Sequence, residues 1–123
     1  RSLTVRTSPR GNPSLRAMTL TRGAQTETFT VPAVTVLRGC AEGCSFAVTL
    51  DAEGAPEDRL LASFYATEGS FSASRAAREP GSRTALSVTW TGPLSREAPV
   101  RFWGVVRDGR GGVRVAAGAL RAE

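Results

Sequence analysis

From residue 100 onward the chain alternates apolar and polar residues with the two-residue period of an extended strand. Val100, Phe102, Gly104 and Val106 fall on one side of the pleat, and Arg101, Trp103, Val105 and Arg107 on the other. A second run places Val113, Val115 and Ala117 on a common face. Between the runs lies Asp-Gly-Arg-Gly-Gly, residues 108–112, whose glycines accept the positive φ that a tight reversal requires. This predicts a β-hairpin. Upstream, Ser14 to Thr21 alternates more weakly, with Leu15, Ala17 and Thr19 opposite Arg16, Met18 and Leu20. Phe29 to Leu37 is interrupted by Pro32, which suits an edge or a point where an edge strand changes partner. Ser45 to Leu50 sets Phe46, Val48 and Leu50 against Ala47 and Thr49. Leu60 to Ala66 sets Leu60, Ala62 and Phe64 against Leu61, Ser63 and Tyr65. Thr84 to Thr91 groups Leu86, Val88 and Trp90 before Gly92-Pro93 stops the strand. Arg75 to Pro80 is the one stretch in which a short helix could form, but Pro80-Gly81 ends it at once, and it reads as a loop. About seven to eight short antiparallel strands punctuated by Gly and Pro predict an all-β sandwich in which two sheets each bury one face.

A length of 123 residues suits one domain, taken as residues 14–123. Residues 1–13, with Pro9, Gly11 and Pro13, read as a linker or as an extra edge strand through Leu3 and Val5. No apolar run approaches the ~18 residues of a membrane span. The start at Arg1, without Met or signal peptide, suggests a processed product or an excised domain, and residues 1–13 would then follow an export signal or lipid anchor. All 16 basic residues are Arg; Lys, His and Ile are absent, the codon habit of a GC-rich genome. The net charge of +5 favours anionic partners, yet the arginines run from Arg1 to Arg121 with no dense block, which speaks against nucleic acid.

Cys40 and Cys44 are the only cysteines, in Arg-Gly-Cys-Ala-Glu-Gly-Cys. Two thiols this close suggest a local disulfide pinching a turn, contributing roughly 2 kcal/mol on the chain-entropy model. Such a pair implies export to a periplasm or cell surface. The competing zinc or redox readings lack His, a second cysteine pair and the two-residue redox spacing.

The segments DAEGAPEDRLLASFYATEGSF, TALSVTWTGP and VRFWGVVRDGRGG together resemble bacterial extracellular immunoglobulin-like domains of the polycystic-kidney-disease and cadherin-like type. The resemblance covers roughly Val31 to Ala119, and Asn12 to Leu15 is similar to the first strand of such modules in surface lipoproteins. It places Phe64 where the family has a central Trp, a departure, and puts Phe102 and Val106 on the inward face of the penultimate strand. It implies a non-enzymatic spacer, an adhesion unit or part of a surface complex and gives no partner; a protein partner at the cell envelope, with membrane contact only through a lost anchor, is the separate expectation.

Three candidate chemistries follow. In an immunoglobulin-like sandwich the loop after the second strand and the final hairpin share one end, which would bring Asp51, Glu53, Glu57 and Asp58 near Asp108. These oxygens suit calcium, the one cofactor considered; the alternative is a solvated acidic loop salted by Arg59, Arg107 and Arg110. Arg101, Trp103, Val105 and Arg107 would project from one strand face, a ladder able to meet a polyanion or glycan; otherwise Trp103 is half buried under a loop, bordered by the arginines. Tyr65 and Trp103, if both point outward, form an apolar patch of the kind that marks a protein interface, with Arg110 nearby. Catalysis finds no His or Lys base for the serines at 70, 72 and 74, and Glu57 with Glu68 is the only carboxylate pair to nominate. A non-enzymatic exported module with a structural or protein-binding role is the leading expectation, and a polyanion- or glycan-binding module the second.

Overall fold

The computed structural model describes residues 13–29, 34–37, 44–55 and 57–123. The segment 1–12, Pro32 and Cys40 lie outside the described residues. The described chain is all-β. Its strands are β1 (Ser14–Arg22), β2 (Gln25–Thr28), β3 (Thr35–Leu37), β4 (Cys44–Glu53), β5 (Leu60–Ala66), β6 (Ser70–Phe71), β7 (Arg75–Arg78), β8 (Leu86–Gly92), β9 (Val100–Arg107) and β10 (Val113–Ala122). They form two five-stranded sheets, ordered β2-β1-β4-β8-β6 and β3-β10-β9-β5-β7. The sheets bury one face each against the other, as a β-sandwich.

The alternation read from the sequence sets which face is buried. Phe46, Val48 and Leu50 of β4, Leu86, Val88 and Trp90 of β8, Leu60, Ala62 and Phe64 of β5, and Val100, Phe102 and Val106 of β9 all belong to one core. Phe102 joins the two layers: its ring lies 5.2 Å from Trp90, 5.5 Å from Phe29 and 6.1 Å from Phe46, all carried by the opposing sheet or the segment leaving it. Trp90 is fully buried, and its indole N–H donates to the Glu68 carbonyl at 2.9 Å, so the large ring enters the core with its polar atom satisfied.

Several elements differ from the sequence reading. Arg75–Arg78 is a strand, because antiparallel pairing of Leu60 to Ser63 with Arg78 to Arg75 satisfies the backbone, and Ala76 is small enough to pack against the core. Ten strands occur among the described residues instead of seven or eight, since β2, β6 and β7, at four, two and four residues, are too short to show a period. Pairing is not wholly antiparallel: β3 runs parallel to β10, with Leu120, Arg121 and Ala122 opposite Thr35, Val36 and Leu37. β2 and β3 belong to different sheets. In β1 the phase shifts. Leu15 pairs with Ala52 and Ala17 with Asp51, leaving Arg16 as an extra, bulged residue, so Leu15 packs on the same core as Met18 and Leu20. Val113 and Val115 lie on the outer face of β10, while Gly118, Leu120 and Ala122 are buried.

At the centre of β9, Gly104 leaves room for a side chain of the opposite sheet. A Cβ there would stand 2.6 Å from Cδ2 of Leu50, itself buried in the opposite sheet. Overpacking of this kind costs about 1–3 kcal/mol. Gly104→Ala is therefore expected to lower unfolding stability by about that amount in urea titration, with the m-value unchanged.

Candidate functional site

With Phe102, Gly104 and Val106 turned inward, the intervening residues of β9 must face outward. Register sets their neighbours: Trp103 lies opposite Tyr65 of β5 and Ala117 of β10, and Val105 opposite Ser63 and Val115. Tyr65 is 54% exposed, Val115 59% and Trp103 36%, so the last is partly sheltered yet open to contact. Arg101 and Arg107 are exposed at the two ends of this strand, and Arg75 flanks it on β7, opposite Ser63. The arrangement is an apolar centre with an arginine rim. Among the five strands of this sheet there are six arginines and not one Asp or Glu.

Tyr65, Arg101, Trp103 and Arg107 are thus brought together on one sheet face. Arg110 is not. It reaches from the final hairpin to the loop before β5, where its Nε meets Asp58 Oδ1 at 2.6 Å; the Asp58 side chain is only 4% exposed. This contact places that loop and the hairpin at the same end of the sandwich. Asp108 closes the hairpin internally, its Oδ1 accepting from the backbone N–H groups of Arg110 at 2.8 Å and Gly112 at 2.9 Å.

Asp51 and Glu53 lie in β4 instead of a loop, and both face Arg16. The guanidinium donates to Asp51 through Nε at 3.2 Å and Nη2 at 2.8 Å, and approaches Glu53 at 3.5 Å. The bulge that frees Arg16 from strict alternation gives it this reach. The residues named for calcium are therefore divided among separate partners, and no group of three carboxylate, His or Cys side chains suited to a metal is found among the described residues. Beside them is a groove of about 660 Å³, whose lining includes Arg16, Asp51, Glu53, Arg78, Glu79 and Arg83. Arg78 is committed to it structurally, donating to the carbonyls of Ala52 and Thr84, each at 2.8 Å.

Cys44 begins β4, and its sulfur accepts a hydrogen bond from Arg22 Nη1 at 3.6 Å. No free cysteine is found among the described residues, and the expected partner Cys40 lies outside them. Sequence reading missed Arg75, Val113 and Val115 as members of the sheet face. Only the strand register, which places Val115 beside Val105, brings them there. The chain matches no protein-family model and no curated protein sequence.

Two expectations follow from the charged contacts. Removing Arg110 leaves Asp58 buried without its ion-pair partner, which should cost about 1–3 kcal/mol once the exposure of the arginine is allowed for. In a double-mutant cycle Arg110→Ala and Asp58→Ala together should cost less than the sum of the single variants, and additivity would remove the coupling. The second concerns acid. Hydrogen bonding from Arg16 holds the Asp51 carboxyl below its ordinary value, and Asp51 in turn raises Arg16. A depressed folded-state carboxylate contributes stability above the unfolded pKa of about 3.9 and loses it as pH falls through the lower folded value. Melting curves between about pH 6 and about pH 2 should therefore show a shallower acid-side loss for Asp51→Asn than for the natural chain.

Proposed function

We propose that this chain is an exported, non-enzymatic immunoglobulin-like module that binds a protein at the cell envelope through the outer face of the β10-β9-β5 sheet. The sheet order supports the immunoglobulin-like reading: β1-β4-β8-β6 and β10-β9-β5 follow the A-B-E-D and G-F-C arrangement of that sandwich. The close cysteine pair, read as a Cys40–Cys44 disulfide, supports export. One observation carries the binding site: Trp103 and Tyr65 stand side by side and open to solvent at the centre of a sheet whose strands hold arginine and no carboxylate. Trp, Tyr and Arg are the residues that most often dominate the energy of protein interfaces, and an apolar centre inside a polar rim is their usual anatomy.

The second reading, a polyanion- or glycan-binding module, draws on the same arginines. Against it, Val105, Val113 and Val115 occupy much of the face, and branched aliphatic side chains give a sulfated chain nothing to bond. A pull-down from the envelope fraction decides between them. A protein retained by the natural chain and lost from Tyr65→Ala/Trp103→Ala, whose melting temperature stays within a few degrees, is the expected result. Retention on a sulfated-polysaccharide resin that depends on Trp103, with no protein captured, would favour the second reading.

A further inference from the structure

We infer that the occupant of this face is a carboxylate-bearing protein segment that also inserts one large apolar side chain into a pocket beside Tyr65. The inference rests on the binding face proposed above and specifies its partner. The pocket arises from a mismatch in strand length. β7 pairs with β5 only from Leu60 to Ser63, and the bond from Phe64 N–H to the Ser74 carbonyl, 2.9 Å, is the last link between them. Beyond it, Tyr65 and Ala66 are flanked by the segment that enters β6. The gap is an open depression of about 290 Å³, lined by Phe64, Tyr65, Ala66, Gly69, Phe71 and Ser74 among others. Phe71 borders it, with its ring 6.0 Å from that of the buried Phe64, and no charged side chain lines it. This volume sits below the usual range for small-molecule sites of about 300–1,000 Å³ and suits a single aliphatic or aromatic side chain.

Tyr65 belongs to both the pocket and the exposed patch, so an anchor in the pocket lays the rest of a bound segment across Trp103 toward the arginines. Arg75 lies on the pocket side and Arg101 and Arg107 at the ends of β9. Guanidinium groups pair with carboxylates through two parallel hydrogen bonds, which makes acidic residues the matching chemistry. Four of the chain's own acidic residues, Asp51, Glu53, Asp58 and Glu79, are already paired with Arg16, Arg110 and Arg59, which leaves a second copy fewer carboxylates to offer this face.

The test selects a phage-displayed library of random peptides on the immobilised natural chain, with subtraction on Trp103→Arg. Enriched peptides should combine Asp or Glu residues with a Leu, Phe or Trp. A synthetic peptide of that sequence should bind at least about tenfold more weakly to Arg75→Glu/Arg101→Glu and to Ser74→Trp, which fills the pocket, while both variants keep the natural melting temperature. Enriched peptides that depend on Trp103 but lack acidic residues would overturn this inference and leave the binding face standing. Binders insensitive to Trp103→Arg, or no binders, would overturn both. Self-association in sedimentation that Trp103→Arg abolishes, or Trp103-dependent capture of heparin in place of peptides, would overturn the acidic segment as occupant.

Discussion

The packing of Phe102 between the layers is the constraint from which the rest follows. One ring on β9 touches Phe29, Phe46, Phe71 and Trp90, so it ties the first strands of the chain to the last hairpin. Aromatic pairs of this kind contribute about 0.5–1.5 kcal/mol each beyond the area they bury, and here they share a single partner. Because successive residues of a strand face opposite ways, fixing Phe102 inward also fixes Trp103 outward. A slip of one residue would turn the whole of β9 over and exchange the core with the outer face. Gly104 of β9 and Gly118 of β10 protect that phase. Gly104 makes room for Leu50 and Gly118 for the ring of Phe29, and a side chain at either place would push the layers apart.

Charge is divided along the same architecture. Carboxylates concentrate on β4, in the loop that follows it and around the groove, and there they meet arginines at short range. The sheet that carries Trp103 has only arginine. Net charge alone could not reveal this, since arginines are scattered evenly along the sequence. The sheet order sorts them. Arg75, Arg101 and Arg107 come from distant parts of the chain and are gathered because β7, β5 and β9 are neighbours. The hairpin carrying Arg110 serves a different purpose, locking the end of the sandwich through Asp58.

The period of two was strong enough in β4, β5, β8 and β9 to show their buried residues correctly from the sequence, because each has at least three apolar side chains in phase. It failed where another physical effect intervened. The bulge at Arg16 reset the phase of β1, so Leu15 joined Met18 and Leu20. Arg75–Arg78 has only alanines to present, and its strand character comes from the open edge of β5 beside it. The parallel partner of β3 is a long-range choice that three residues cannot announce. At the candidate site, Arg101, Trp103 and Arg107 could be read together because one strand carries them, and Tyr65 followed from the neighbouring strand. Val115, Arg75 and the pocket at Phe71 depend on register and on where β7 stops, which local pattern does not encode. Asp51 and Glu53 were legible as charged residues but not as partners of Arg16, which lies thirty-five residues from Asp51 in sequence.

The chain's two tryptophans provide the most direct check on this account, since Trp90 is fully buried and Trp103 lies on the outer sheet face. Acrylamide quenching of fluorescence in the single-tryptophan variants Trp90→Phe and Trp103→Phe reads the two positions separately. The account predicts red-shifted, readily quenched emission from Trp103 and blue-shifted, protected emission from Trp90. Equal quenching of the two, or the reverse order, would contradict the orientation of β9 and with it the proposed binding face.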